Sequence, residues 1–365
     1  MTRIPALLLL RPEELPKSYR ELQQRRTTEI ACLRNFSRSP GSSLEQVLYE
    51  VRCSLSDLGE REFPPPETRS APETADSDSH DEYCRVRRVD DPDTLYVFTR
   101  SVLKAYEELL EDTVSGGLSL TQDQWIALRA AFESLLRLIA GSKSAAQVRA
   151  ELRAFDTKYV DAIWCDPFTR WIRGHHVFVV LIQGLIVAIS CFASAHADDS
   201  LEDARSALEV ATLLMEGSGA SLHYAGDFPT SDYDETVRPT MMPPNVPPGM
   251  SGILARDHRH LIKLLQSQRN LFEVIQPGLK KQYEEFVTAF GCTYDAHKLV
   301  CAHFRGDERP SLLNGNSAES GVELLDDLKN VRLRGLGQRH VVGKVGSQRQ
   351  ERAPATSGLS GRQHL

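Results

Sequence analysis

The chain has 365 residues, 41% of them hydrophobic, and 43 basic against 50 acidic side chains give a formal charge of −7. That length suits one large domain or two smaller ones with a substantial core, and no stretch concentrates Lys and Arg as a nucleic-acid surface would. The seven cysteines are widely spread and include no C-x-x-C pair, which argues against a disulfide framework and a zinc ribbon.

From the N-terminus, the apolar run Ala6-Leu-Leu-Leu-Leu10 is too short for a secretory signal. Pro12-Glu-Glu14 follows it in place of a small-residue cleavage site, so a cytoplasmic protein is expected. Residues 1–62 read as a mostly helical segment. Residues 63–91, from Phe63-Pro-Pro-Pro-Glu67 through His80-Asp-Glu82, are rich in Pro, Ser and acid and read as a flexible linker or long loop. Residues 92–309 form the expected folded core. Residues 310–365 become rich in Gly, Ser, Arg and Gln, and a largely disordered tail is expected there.

Within the core, apolar residues recur at three and four positions through Val102–Leu110, Trp125–Ile139, Ala146–Phe155, Ala204–Met215, Ile253–Phe272 and Leu279–Phe290. Thr121-Gln-Asp-Gln124 and Ser200-Leu-Glu-Asp203 carry the hydroxyl-then-polar spacing of helix starts. Few runs alternate as strands do, and the fold class is all-α. Val177–Ala195 holds nineteen residues without a formal charge. A buried central helix accounts for it, with a single membrane span as the alternative, and no membrane partner is expected. The long non-helical stretch Gly219–Met250, with its Tyr, Phe and Met residues, reads as a lid over an apolar ligand or else as a proline-stiffened connector.

Phosphate-binding glycine loops, the G-x-S-x-G elbow, the H-E-x-x-H zinc helix and C-x-x-C-H haem attachment are all missing. What the sequence does offer is His297-Lys-Leu-Val-Cys301. Residues four apart share a helix face, so an imidazole there can bind iron while the thiol reaches a porphyrin edge and adds to a vinyl group. A core histidine beside an inert cysteine accounts for the same pair. His258 opens a strongly apolar helix, thirty-eight residues lie between it and His297, and the Gln276-Pro-Gly278 break between them allows two helices to face each other. His260 and His303 point away from these faces.

A histidine, thirty-eight residues and then His-x-x-x-Cys resembles the haem-dependent 3-methyl-L-tyrosine hydroxylases of saframycin-type biosynthesis, within the tryptophan 2,3-dioxygenase-like superfamily. The resemblance covers roughly residues 90–310. It implies an all-α, tryptophan-dioxygenase-like bundle around a haem, one thioether to Cys301, and axial iron ligation by His258 and His297. It implies insertion of one oxygen atom beside the phenol hydroxyl of 3-methyl-L-tyrosine, with hydrogen peroxide, or dioxygen plus a reductant, as oxidant. It also suggests a homo-oligomer. Composition and spacing alone permit these properties and go no further.

Of the two ligands, His258 is expected to yield to the oxidant and His297 to stay, because Cys301 ties the haem to the His297 helix. An aromatic amino acid needs a cation for its carboxylate and apolar walls for its ring. The segment Trp164–His176 concentrates such groups: Arg170 or Arg173 as a carboxylate clamp, His175 or His176 to orient the phenol, and Trp171 as a wall. Helix-anchoring aromatics and solvated arginines account for the same residues. Tyr224, Asp227 and Tyr233 are weaker candidates. Bis-histidine haem for electron transfer alone, and a non-enzymatic helical membrane-associated protein, are the alternative functions.

Overall fold

The computed structural model describes residues 4–23, 33, 43–63, 75–141, 147–154, 166–247, 252, 255–305 and 321–337. Ten helices of seven or more residues are found among them. They are α1 (Leu44–Leu58), α2 (Ala75–Tyr83), α3 (Thr94–Gly116), α4 (Gln122–Ile139), α5 (Val148–Ala154), α6 (Pro167–Ala197), α7 (Leu201–Ala225), α8 (Arg256–Ser267), α9 (Lys280–Arg305) and α10 (Gly321–Gly335).

The helix starts follow from local chemistry. At α4, Thr121 and Gln124 close the expected capping box, the Gln124 N–H donating to Thr121 Oγ1 at 3.3 Å and the Thr121 N–H to Gln124 Oε1 at 2.8 Å. At α6, Asp166 accepts from the Thr169 N–H at 2.9 Å and Pro167 fills the first turn, where its missing N–H costs nothing. Ser200 behaves differently from the expectation: its hydroxyl donates to the Asp203 carboxylate at 2.9 Å and makes no cap to a backbone N–H.

Helices α6 and α7 form the central hairpin, joined by the turn at Asp198–Ser200. Helix α7 packs also on α4 and α9, while α6 packs on α3 and α8. This surrounds the charge-free stretch of α6, and 78% of its most apolar eighteen residues are buried inside the protein. Length and composition alone suit a membrane span, but here the apolar surface is consumed by neighbouring helices.

Two short strands depart from pure helix. β1 (Leu7–Leu9) pairs in parallel with β2 (Val86–Arg88), Leu7 opposite Val86 and Leu9 opposite Arg88. The Leu7–Leu10 run therefore lies in the core and not at a free terminus. The 63–91 stretch, read from sequence as a linker, contributes α2 and β2 to the folded body. Its core-facing residues in α2 are Ser77, His80 and Asp81, polar groups whose burial depends on partners elsewhere, so apolar periodicity gave no sign of them. The proposed tail likewise includes α10, which packs on α9, while residues 338–365 lie outside the described residues.

Candidate functional site

Helix α9 turns one stripe of side chains inward: Phe290, Tyr294, His297, Cys301 and Phe304 line a common cavity of about 270 Å³. Their three-to-four-residue spacing places them on one helix face. Helix α8 supplies His258 and Leu261 to the same lining, and α6 supplies Trp171, His175, Phe178 and Ile182. The three residues singled out as iron ligands and tether thus line one mostly apolar space.

His258 is held by its neighbour in sequence. Asp257 is fully buried and accepts from Arg88 Nη1 at 3.1 Å, from Arg88 Nη2 at 2.5 Å and from Gln183 Nε2 at 2.8 Å. Arg88 also donates to both oxygens of Asp81, at 2.9 and 2.8 Å, and to the Leu10 carbonyl at 2.8 Å. Burial alone lowers the Arg88 pKa, but the charges of Asp257 and Asp81 outweigh it and hold the guanidinium above its ordinary value. This hub joins β1, β2, α2, α6 and α8, and it fixes where His258 enters the cavity.

Burial first, then the charges of Arg332 and His297, push the His258 imidazole down to about 3. Arg332 Nη1 lies 3.2 Å from His258 Nε2, and a guanidinium only donates, so Nε2 carries a lone pair there. A neutral imidazole with an available lone pair is what a metal ligand requires. Together with His297, the thiol of Cys301 one helical turn away and the apolar walls, this donor set fits a haem.

Of the five other proposed site residues on α6, two, Trp171 and His175, face the cavity. Positions 171, 175, 178 and 182 line it, whereas Arg170 and Arg173 turn towards α3. Arg170 is 2% exposed and pairs with Asp112 at 3.1 Å and Asp227 at 3.1 Å, and Arg173 pairs with Glu111 at 2.9 Å and with Asp112. Tyr224 donates to Asp112 at 2.8 Å within the same network. Both arginines are committed to the protein's own carboxylates and do not line the cavity; a helix presents residues 170 and 173 on a different face from 171 and 175. His176 is buried between Glu108 and the Cys84 carbonyl, each at 2.8 Å, and acts as a cross-brace. Trp164 lies outside the described residues.

The sequence as a whole places this geometry in context. The family described as SfmD 3-methyl-L-tyrosine peroxygenase matches residues 8–282. The chain belongs to that family. A 3-methyl-L-tyrosine peroxygenase of Streptomyces lavendulae is 32% identical over 336 residues, 90% of each chain. A crystal structure of reduced SfmD, obtained by soaking with sodium hydrosulfite, superposes with a TM-score of 0.64 at 28% identity, covering 80% of this chain and 96% of that one. The all-α fold is therefore shared with a solved relative, and the chain is a member of an enzyme family. The matched segment 8–282 includes His258 and stops short of His297 and Cys301.

In this peroxygenase-family cavity, several residues escaped the sequence reading. His80 on α2 lines it, its ring 6.5 Å from that of His175, and burial first pushes its pKa down to about 3. His80 and Cys84 repeat the His-x-x-x-Cys spacing, a signal present in the sequence. Burial drives the Cys84 thiol far above its ordinary pKa, which makes it an inert thiol. The stretch read as a lid supplies Tyr233 and Met241 to the lining. Tyr233 stacks on Phe304 at 4.3 Å and meets Trp171 edge-on at 5.9 Å, forming a second small apolar cluster over one end of the cavity.

Proposed function

We propose that the chain is a cytoplasmic, haem-dependent peroxygenase that hydroxylates 3-methyl-L-tyrosine beside its phenol hydroxyl, giving 3-hydroxy-5-methyl-L-tyrosine for a saframycin-type biosynthesis. One observation carries the reading: in a member of the 3-methyl-L-tyrosine peroxygenase family, His258, His297 and Cys301 line the same apolar cavity. A relative described in a hydrosulfite-reduced form accords with a redox cofactor. One oxygen atom of hydrogen peroxide enters the ring C–H as hydroxyl and the other leaves as water; dioxygen with a reductant is the equivalent supply.

His258 and His297 would hold the iron, and Cys301 would hold the porphyrin edge as a thioether. A bound haem supplies the oxidising chemistry. His297 is the steadier ligand because the tether sits on its own helix. His258 would be the ligand that yields, its Nε2 having the Arg332 N–H at 3.2 Å as another partner.

His175 is placed to act on the phenol. The Trp171 carbonyl at 2.7 Å only accepts, so Nδ1 carries the hydrogen and Nε2 the lone pair. Burial first pushes this imidazole down to about 4, so it is neutral at physiological pH and can accept the phenol hydrogen bond. Trp171, Tyr233 and Phe304 wall the ring and exclude water.

The test is mass spectrometry of the intact chain and of its Cys301 peptide, followed by turnover. A haem-sized increment on that peptide and a catechol product from 3-methyl-L-tyrosine with peroxide are expected. A colourless chain, or a haem protein that makes no catechol, overturns the proposal.

A further inference from the structure

Among the described residues, Arg332 is the one arginine or lysine that lines the cavity. The other arginines around it are spent on acids: Arg88 on Asp81 and Asp257, Arg256 on Asp78, Arg170 on Asp112 and Asp227. Arg332 is different. Its Nη1 donates to His258 Nε2 and to the Tyr294 hydroxyl, and its guanidinium carbon lies 5.4 Å from the Tyr294 ring centroid. These partners are neutral, and no ion pair of Arg332 with a carboxylate is found among the described residues.

Its placement is built in. Helix α10 carries Leu324, Leu325, Leu328 and Arg332 on the cavity wall. It is clamped to α9 by Lys298 with Asp326 at 2.5 Å and Lys329 with Asp295 at 2.7 Å. The two carboxylates that also line the cavity, Asp81 and Asp257, are held by Arg88, so a half-buried guanidinium facing this space with no acid partner among the described residues is a site for an anion. The planar fork matches a carboxylate.

We propose that Arg332 is the carboxylate receptor of this cavity, taking either a propionate of the cofactor or the α-carboxylate of the amino-acid substrate. The inference rests on the haem and substrate reading above and assigns the role first sought in Arg170 and Arg173. It also couples two events. Nη1 cannot donate to His258 Nε2 while that nitrogen's lone pair binds a metal, so a carboxylate that draws the guanidinium away frees His258 to ligate.

Two paired comparisons test it in wild type, Arg332→Met and Arg332→Lys, with far-UV circular dichroism confirming the fold. Full-length chain from haem-limited cells is titrated with haem and with haem dimethyl ester, read by Soret absorbance. The same chain is titrated calorimetrically with 3-methyl-L-tyrosine and with its decarboxylated amine, 3-methyltyramine, a readout that needs no haem.

Wild type is expected to prefer the carboxylate form of at least one pair by about tenfold or more, the scale of a charge-assisted hydrogen bond. Arg332→Met should erase that preference and Arg332→Lys keep part of it. The pair in which preference disappears names the source of the carboxylate. A preference unchanged in Arg332→Met, or absent from wild type in both pairs, overturns the receptor. Failure of wild type to develop a Soret band counts against the haem reading instead, and the calorimetric pair then decides for Arg332.

Discussion

Arg88 on β2 and Asp257 at the start of α8 meet through two nitrogens and two oxygens, at 3.1 and 2.5 Å, although 169 residues separate them in the chain. The contact ties a strand that the sequence hid in a polar stretch to the residue beside the proposed ligand His258. A buried pair of this kind is expensive to break from one side, because the partner left behind stays buried and charged. Arg88→Met removes the guanidinium that Asp81 and Asp257 share, leaving Asp257 with uncharged Gln183 at 2.8 Å and Asp81 with Arg256 at 3.7 Å. A loss of about 3–5 kcal/mol of stability is expected in urea unfolding, with reduced haem uptake. Unchanged stability would show that the hub is incidental.

Stability should fall in mild acid. His80 and His175 have folded-state pKa values near about 3 and about 4, below the ordinary 6.5, because burial disfavours the imidazolium. Between those values the unfolded chain binds protons that the folded chain refuses, so the stabilisation is complete above about 6.5 and is lost as pH falls towards 4. Each contributes a slope of at most about 1.4 kcal/mol per pH unit, over a narrower pH window for His175, whose folded value lies closer to the ordinary one. Unfolding midpoints of the haem-free chain across pH 7 to about 4.5 check this against His80→Phe, which should flatten the dependence.

Gly174 of α6 packs directly against Ala225 of α7, and both line the cavity. A Cβ built there falls 2.3 Å from the Ala225 Cβ, inside any tolerable contact. Gly174→Ala is expected to push the helices apart and cost about 1–3 kcal/mol by overpacking. Thermal unfolding reads the loss, and Soret line shape reads any disturbance of the cavity.

Arg170 and His175, five residues apart on α6, should respond differently to substitution. Arg170→Met removes a buried guanidinium that pairs with both Asp112 and Asp227, so it is expected to lower the melting temperature while leaving KM for 3-methyl-L-tyrosine near that of wild type. His175→Phe is expected to leave the fold intact and lower kcat by about a hundredfold or more, the range for a positioned general base. Steady-state kinetics with denaturation curves separate the two outcomes, and a raised KM in Arg170→Met would return that residue to the substrate site.

Cys301→Ala should make the haem extractable into acid acetone while the imidazoles still bind it. Retention of unextractable haem in this variant would show that Cys301 is not the tether.

The helical class was legible in apolar spacing. Trp125–Ile139 and Ala204–Met215 fall inside α4 and α7, because a helix that buries one face must repeat its apolar residues every three to four positions. The Thr121–Gln124 cap was legible for a similarly local reason. His297 and Cys301 sharing a face also required nothing beyond one helical turn. Other relations depended on chain segments that no local pattern connects. Residues 75–88 looked like linker because α2 buries Ser77, His80 and Asp81, and partners beyond that helix, Arg88 on β2 and Arg256 and Arg259 on α8, make the burial of Asp81 and Ser77 tolerable. Arg170 and Trp171 are adjacent in sequence, yet helical rotation sends one into an acidic network and the other into the cavity. Arg332 stood in a stretch read as tail, and only the packing of α10 on α9 brought it to His258. Sequence alone determined which residues repeat on a face; tertiary structure decided which charges were already neutralised by the protein and which one faces the cavity without an acid partner among the described residues.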